Sequence, residues 1–237
     1  QDGTLLELAD KSLRGDRELV LAAVKQDGEA LAFASKELRS DGEVVLAAES
    51  KSPGAAEHAT TALWADGQAV FELVLKEGNL LRFAAREIQA DREVVMAAVR
   101  QNGEAFRYVA PTLRADPEVL LAAAERHADA FRHAPKEMWS ERELILAAVK
   151  LNGCVLKCAT GRLRSDREVV LAAVSQDGNA LEFAALELRA DHEVVLAAVQ
   201  QSPEALVHAT RELREDRSLA ISARQSRYSK TTAAGRG

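Results

Sequence analysis

Apolar and polar positions recur along this chain with a period of 25 residues. An acidic residue opens each period, an apolar run such as Val169–Val174 follows it, and an amphipathic stretch closes it. The opening residues are Asp16, Asp41, Asp66, Asp91, Asp116, Glu141, Asp166, Asp191 and Asp216. A fixed period of this length indicates stacked units, each too small to bury its own apolar face. Positions related by whole periods are referred to below as one column.

Each period predicts two helices. Asp166 is a suitable N-cap, because its carboxylate accepts free N–H groups of the first turn. Glycine at Gly178 and its column favours a left-handed residue after the first helix, and a second helix over 179–188 is expected to bury Leu181, Phe183 and Leu188. A buried strand would also suit the apolar run, but the cap, the internal alanine pair and the glycine favour helix. The leucine-rich repeat has a similar length, and its leucine pattern does not occur here.

The predicted fold is all-α: an α-solenoid of helix-turn-helix repeats, with eight full units and a half unit at each end. We expect residues 1–223 to form the array and residues 224–237 to form a basic, flexible tail, since Arg224 replaces the usual buried valine. The half units lead us to expect a piece of a longer array, whose ends contact further repeats or subunits.

The repeat core Asp-Arg-Glu-Val-Val-Leu-Ala-Ala-Val-x-Gln-Asp-Gly-x-Ala-Leu-x-Phe-Ala resembles a repeat known only as a domain of unknown function. That family occurs as tandem arrays in algae, protists, large viruses and some intracellular bacteria. The resemblance covers residues 1–223 and is weakest between Glu49 and Glu77. It implies a helical array and no catalytic residues.

Composition excludes several classes of function. A net charge of −6 and 4% aromatic residues argue against a nucleic-acid binder. No apolar run approaches the length of a membrane span, and we expect no signal peptide. Two cysteines imply no disulfide framework. We therefore expect a soluble protein of a reducing compartment, either the cytoplasm or an organelle interior.

Histidine and cysteine residues do not assemble a predicted reaction centre. His58, His133 and His208 share the column of Phe183, which predicts packed core residues. Cys154 and Cys158 are too few ligands for a structural zinc site, which takes four. We expect no catalytic, cofactor-binding or metal-binding residues, and the chain is not predicted to be an enzyme.

Two charged columns suggest ladders along the stack. The glutamates in the column of Glu18 and the arginines in the column of Arg14 are predicted to bridge neighbouring repeats. Trp64 and Trp139 interrupt the arginine column. They either pack on neighbouring arginines or serve as exposed anchors for a partner.

The strongest candidate for binding is an outward column of the second helix. Four successive repeats carry Arg82, Arg107, Arg132 and Lys157 there, and Arg86 and Lys136 lie in a nearby column. Other repeats hold Glu or Ala at the same place, so the fold does not require a cation. The alternatives are a solvated face with chance charge, a recognition stripe for an acidic protein segment, or a phosphate-rich ligand such as RNA.

These patterns predict a non-enzymatic scaffold that binds an extended, acidic protein partner along a repeat surface. The alternatives are a structural subunit of a larger assembly and the non-catalytic repeat region of a longer enzyme or effector.

Overall fold

In the computed structural model, the backbone is described for residues 3–234 and the side chains for residues 5–226. Every regular element in that part of the chain is helical, and none is a strand. The chain forms two compact units, Gln1–Leu113 and Arg114–Gly237. Within each unit, consecutive repeats pack against one another through their long helices. The predicted all-α repeat array is confirmed.

Each repeat begins with a long helix. The long helices are Arg17–Gln26, Gly42–Lys51, Gly67–Lys76, Arg92–Gln101, Pro117–Arg126, Arg142–Leu151, Arg167–Gln176, His192–Gln201 and Arg217–Ala234. The aspartate before each helix is its N-cap: Asp166 Oδ1 accepts the N–H of Glu168 at 3.0 Å and of Val169 at 3.2 Å. Glu141 makes no such bond, because its longer side chain does not close the cap turn.

The predicted second helix is wrong in detail, because two shorter pieces replace it. The first piece is a 3₁₀ helix: Gly3–Leu8, Gly28–Phe33, Ala55–His58, Gly78–Phe83, Gly103–Tyr108, Ala128–His133, Gly153–Cys158, Gly178–Phe183 and Pro203–His208. The second piece is a single turn: Lys11–Arg14, Leu38–Ser40, Thr61–Trp64, Ile88–Ala90, Pro111–Arg114, Lys136–Ser140, Gly161–Arg164, Leu186–Arg189 and Arg211–Arg214. An extended residue, such as Ala184 with ψ 153°, separates the two pieces and changes the chain direction.

The core of each unit lies between the long helices and the 3₁₀ helices. In one repeat, Val169, Val170, Ala173 and Val174 are fully buried on the long helix. Leu181 is fully buried from the 3₁₀ helix, and Leu188 of the following turn is 8% exposed. Phe183, which was predicted to face inward, is only half-buried.

The glycine column has a different cause from the one predicted. Among the described residues only Gly54 has a positive φ, at 112°. Gly178 is needed because a Cβ there would lie 2.3 Å from the carbonyl oxygen of Ala198, on the next long helix. Gly28, Gly78 and Gly153 face the same kind of contact. The left-handed C′ prediction was therefore wrong, and close approach of neighbouring backbones explains the glycine.

Polar side chains also join neighbouring repeats. Gln201 Oε1 accepts the N–H of Gly178 at 2.7 Å, and its Nε2 donates to the carbonyl of Gln176 at 3.1 Å. Gln101 and Gln176 each make the equivalent pair of bonds to the repeat that precedes their own. These glutamines satisfy backbone groups that the end of the preceding long helix leaves unpaired.

The last long helix crosses the boundary predicted at Arg224. It runs from Arg217 to Ala234, so residues 224–234 of the predicted tail are helical. Good helix formers in this segment, among them Arg, Gln, Lys and Ala, account for the continuation. Residues 235–237 lie outside the described part, and the flexibility of the tail stays a prediction.

Within the described part of the chain, no helix combines the length and the apolar character that crossing a membrane requires.

Candidate functional site

The basic column occupies one position of the 3₁₀ helices. Arg82, Arg107, Arg132 and Lys157 are each the fifth residue of a six-residue helix. The residue before each of them is fully buried, as Leu81 and Leu156 illustrate. Arg107 and Arg132 are exposed, whereas Arg82 and Lys157 are half-buried.

Arg82 is held by a carboxylate from the preceding repeat. Its Nη2 donates to Glu49 Oε1 at 2.9 Å, and its guanidinium lies 4.4 Å from the centre of the Phe83 ring. Glu49 Oε2 also accepts the N–H groups of Gly54 at 2.9 Å and Ala56 at 3.1 Å. Arg82 is thus largely neutralised within the fold, and Glu49 fixes the irregular turn before the short 3₁₀ helix Ala55–His58.

A groove of about 580 Å³ lies beside this ion pair. Leu46, Pro53, Lys76 and Asn79 line it together with Arg82. It combines an apolar wall with charges of both signs, because Glu49 and Glu77 also border it. The groove occurs in the segment where the repeat pattern is weakest.

In the second unit, two basic residues share one carboxylate. Asp129 Oδ1 lies 2.9 Å from Arg132 Nε and 2.8 Å from Lys157 Nζ. The hydrogen bond from Lys157 lowers the pKa of Asp129, and the charges of Lys157 and Arg132 act in the same direction. Two cations facing one anion leave a net positive charge, and Arg132 remains 66% exposed.

The other predicted cations lie on the surface. Arg107 is exposed, with its guanidinium 5.5 Å from the centre of the Tyr108 ring. Arg86 and Lys136 are exposed in the segments that follow their 3₁₀ helices. Each unit therefore presents cations on the outer side of its 3₁₀ layer: Arg86 and Arg107 in the first, and Arg132 and Lys136 in the second.

Trp64 packs against an aromatic ring, and Trp139 is half-buried. Trp64 is 6% exposed and stacks on Phe83 with ring centres 5.3 Å apart. Trp139 is half-buried and donates its indole N–H to the carbonyl of Phe131 at 2.8 Å. The anchor hypothesis is wrong for Trp64. Both side chains support the 3₁₀ helices that carry the basic column, although neither packs on an arginine as predicted.

Glutamates of the Glu18 column bridge neighbouring repeats as predicted: Glu168 and Glu193 contact Arg142 and Arg167 of the repeat before. Arginines of the Arg14 column instead donate to backbone carbonyls: Arg189 Nε reaches the oxygen of His208 at 2.6 Å. A different arginine column bridges the repeats. Arg142 contacts Asp166, the N-cap of the next long helix, at 2.8 Å, and it also contacts Glu168 in the first turn of that helix. The sequence did contain a signal for these bridges. Arg17, Arg142 and Arg167 each lie 24 residues before the N-cap aspartate and 26 residues before the glutamate that they contact.

The histidine column is not part of the core, contrary to the prediction. His58 is half-buried and lies 2.9 Å from Glu29, while His133 is exposed. Burial raises the pKa of the Cys154 thiol to about 11, and its hydrogen bond to Asp177 acts in the same direction. Such a thiol is a poor nucleophile at neutral pH. Within the described residues, no group of three or more His, Cys, Asp or Glu side chains is placed to hold a metal ion.

Together, these observations define an all-α tandem-repeat protein whose outer 3₁₀ layer carries a basic column. The family model described as "Domain of unknown function (DUF4116)" matches residues 1–39, 16–64, 66–114, 141–189 and 166–214. These matches cover most of the chain, which therefore belongs to that family. No curated protein and no solved structure matches the chain.

Proposed function

We propose that this chain is a non-enzymatic interaction scaffold that binds an extended, acidic protein segment along its basic column. The observation that carries the proposal is the position of the column in the 3₁₀ layer. Arg107 and Arg132 are exposed, while Phe106 and Phe131, the residues directly before them, are fully buried. Exposed cations on the repeats of each unit suit an extended ligand.

The internal ion pairs support this reading. Asp129 orients Arg132, which stays 66% exposed, and orientation reduces the conformational entropy that a side chain loses when it binds. Arginine also matches the geometry of a carboxylate, to which it donates two parallel hydrogen bonds. The exposed Arg86, Arg107 and Lys136 supply the charge that attracts an anionic segment.

A labelled polyglutamate peptide tests the proposal, with fluorescence anisotropy as the readout. The variant Arg86→Glu, Arg107→Glu, Lys136→Glu avoids the ion pairs of Glu49 and Asp129, so that its fold is retained. We expect its Kd for the peptide to rise by about tenfold or more. The matched control Lys25→Glu, Lys51→Glu, Arg162→Glu changes net charge equally at exposed sites outside the column. We expect it to bind like the wild type.

Equal weakening in the two variants would show that only total charge matters, and would reject the exposed cations Arg86, Arg107 and Lys136 as the site. A polyadenylate probe that binds more tightly than polyglutamate would replace the acidic protein segment with RNA as the ligand class.

A further inference from the structure

The groove of about 580 Å³ in the first unit lies between two consecutive repeats. Leu46 and Pro53 come from one repeat, and Lys76 and Asn79 come from the next. Both repeats lie inside the array, with a further repeat on either side of the pair. The volume of the groove falls in the range of small-molecule sites, about 300–1,000 Å³.

Pro53 explains why this junction between repeats is open. It occupies the glycine column, in which a Cβ on Gly28 or Gly78 would lie 2.3 Å or 2.4 Å from a carbonyl oxygen of the next long helix. Proline carries a Cβ, so it cannot approach as closely, and it has no N–H to donate. Lys76 stands where Gln101, one repeat later, accepts the N–H of Gly78. Both halves of the contact that closes the next junction are therefore absent at this one.

Two buried polar atoms of the groove lining have no hydrogen-bond partner among the described residues. Asn79 Oδ1 is an acceptor without a donor, and Arg82 Nε is a donor without an acceptor, although Arg82 Nη2 is bonded to Glu49. Buried polar groups are nearly always hydrogen-bonded, so these exceptions call for an explanation. A ligand that carries both an N–H donor and an oxygen acceptor would satisfy the two atoms.

Opposite charges also stand side by side at the border of the groove. Lys76 is exposed and Glu77 is half-buried, and no ion pair joins them in the part of the chain that the structure describes. Glu77 makes no capping bond at the start of the 3₁₀ helix Gly78–Phe83. The other two charges of the lining, Glu49 and Arg82, pair with each other. The lining thus favours neither an anion nor a cation, whereas a zwitterion meets an opposite charge at each end.

We propose that this groove binds a dipeptide with aliphatic side chains and free ends. The ligand's carboxylate pairs with the Lys76 ammonium and accepts a hydrogen bond from Arg82 Nε. Its ammonium pairs with Glu77 and donates to Asn79 Oδ1, and its side chains pack on the apolar wall. Because Arg82 Nε and Asn79 Oδ1 are covered, their side chains turn towards the groove when the ligand enters. The exposed cations whose replacement tests the acidic segment do not line this groove, so either proposal can fail alone.

Titration of the full chain with L-leucyl-L-leucine at pH 7, followed by ¹H–¹⁵N NMR, tests the proposal. We expect saturable shifts centred on the amides of residues 46–53 and 76–82. Acetylating the amino end of the dipeptide or amidating its carboxyl end should each raise the Kd by about tenfold or more. This comparison uses only the wild type, so it does not depend on the stability of any variant.

Two variants assign the ends of the ligand. Amidation should no longer weaken binding to Lys76→Gln, while acetylation still does, and Glu77→Gln should show the opposite. Lys51→Gln and Glu87→Gln are the matched controls, because both residues are exposed, belong to the same unit and lie outside the groove lining. Both controls should bind every form of the dipeptide like the wild type.

Two outcomes would overturn the proposal. One is the absence of saturable shifts in the groove residues at every soluble concentration of the free dipeptide. The other is equal binding of the free and the doubly blocked dipeptide, because the groove would then take up apolar groups without recognising charge.

Discussion

At the scale of single residues, the glycine column separates what a sequence pattern can predict from what it cannot. The repeat pattern correctly predicted that this glycine lies just after the end of the long helix. It did not predict the cause, because a close approach between Gly178 and Ala198 depends on how two repeats stack. A glycine that permits a left-handed turn and one that permits close packing look the same in a single sequence.

Replacing this glycine tests the packing explanation. Gly178→Ala places a Cβ 2.3 Å from a backbone oxygen, so the backbones must move apart. We expect a loss of about 1–3 kcal/mol in the free energy of unfolding, measured by urea denaturation. Gly67→Ala is the control, because no atom lies within 4 Å of its Cβ and alanine favours the helix. Equal effects of the two changes would contradict the packing explanation.

Glu49 provides a second test at this scale. It occupies a column of buried valines and accepts hydrogen bonds from Gly54, Ala56 and Arg82. Glu49→Ala leaves these donors without their acceptor, and we expect a loss of about 2–4 kcal/mol. A double-mutant cycle with Arg82→Met should show coupling, because the second change removes the cation that the first one strands. Additive effects of the two changes would mean that the ion pair contributes nothing to stability. Glu57→Ala, a change at an exposed glutamate, serves as the control.

At the scale of elements, the long helices could be predicted and the second helices only in part. The aspartate cap and the apolar run fixed the long helices. Over six residues, however, an amphipathic pattern does not separate 3.6 from 3.0 residues per turn. In the 3₁₀ helix Gly178–Phe183, the first and fourth residues share one side, which places Gly178 and Leu181 on the core. Tight packing of the glycine on the next helix therefore accompanies the 3₁₀ form.

The arginine bridges between N-caps predict a pH dependence. The hydrogen bond from Arg142 lowers the pKa of Asp166 below its ordinary value of 3.8. A carboxyl with a lowered pKa in the folded state stabilises the fold above its ordinary pKa, and this contribution is lost as the pH falls through the folded value. The Tm of Arg142→Gln should therefore lie below that of the wild type at pH 5–8, and the difference should shrink towards pH 3.

Thermal unfolding followed by circular dichroism at each pH checks this expectation. Arg162→Gln is the matched control, since Arg162 is an exposed arginine of the same unit. A Tm difference that persists unchanged at pH 3 would show that Arg142 acts through packing of its aliphatic stem rather than through the carboxylates.

At the scale of the whole molecule, the periodic part of the sequence predicted the core, and departures from the period identified the candidate site. The outward cations were found because their column varies between repeats. Their anionic partners were missed, since Glu49 lies in an apolar column and Asp129 in a variable one. Glu49 and Arg82 are 33 positions apart, and Asp129 and Lys157 also come from different repeats, so only the stacking of the repeats brings these pairs together. Arg132, by contrast, lies three residues from Asp129 on the same 3₁₀ helix.

The same logic predicts uneven local stability along the chain. A repeat that is covered on one side only should open more often than an equivalent repeat between two neighbours. Leu5 and Leu13 are 58% and 41% exposed in the first repeat. Their equivalents Ala30 and Leu38 are 1% and 8% exposed. In dilute solution, amide hydrogen exchange should therefore be faster in residues 5–14 than in residues 30–39 of the same unit, after correction for intrinsic exchange rates. Equal protection of the two segments would mean that the exposed leucines do not weaken the first repeat, and the link between coverage and local stability would fail.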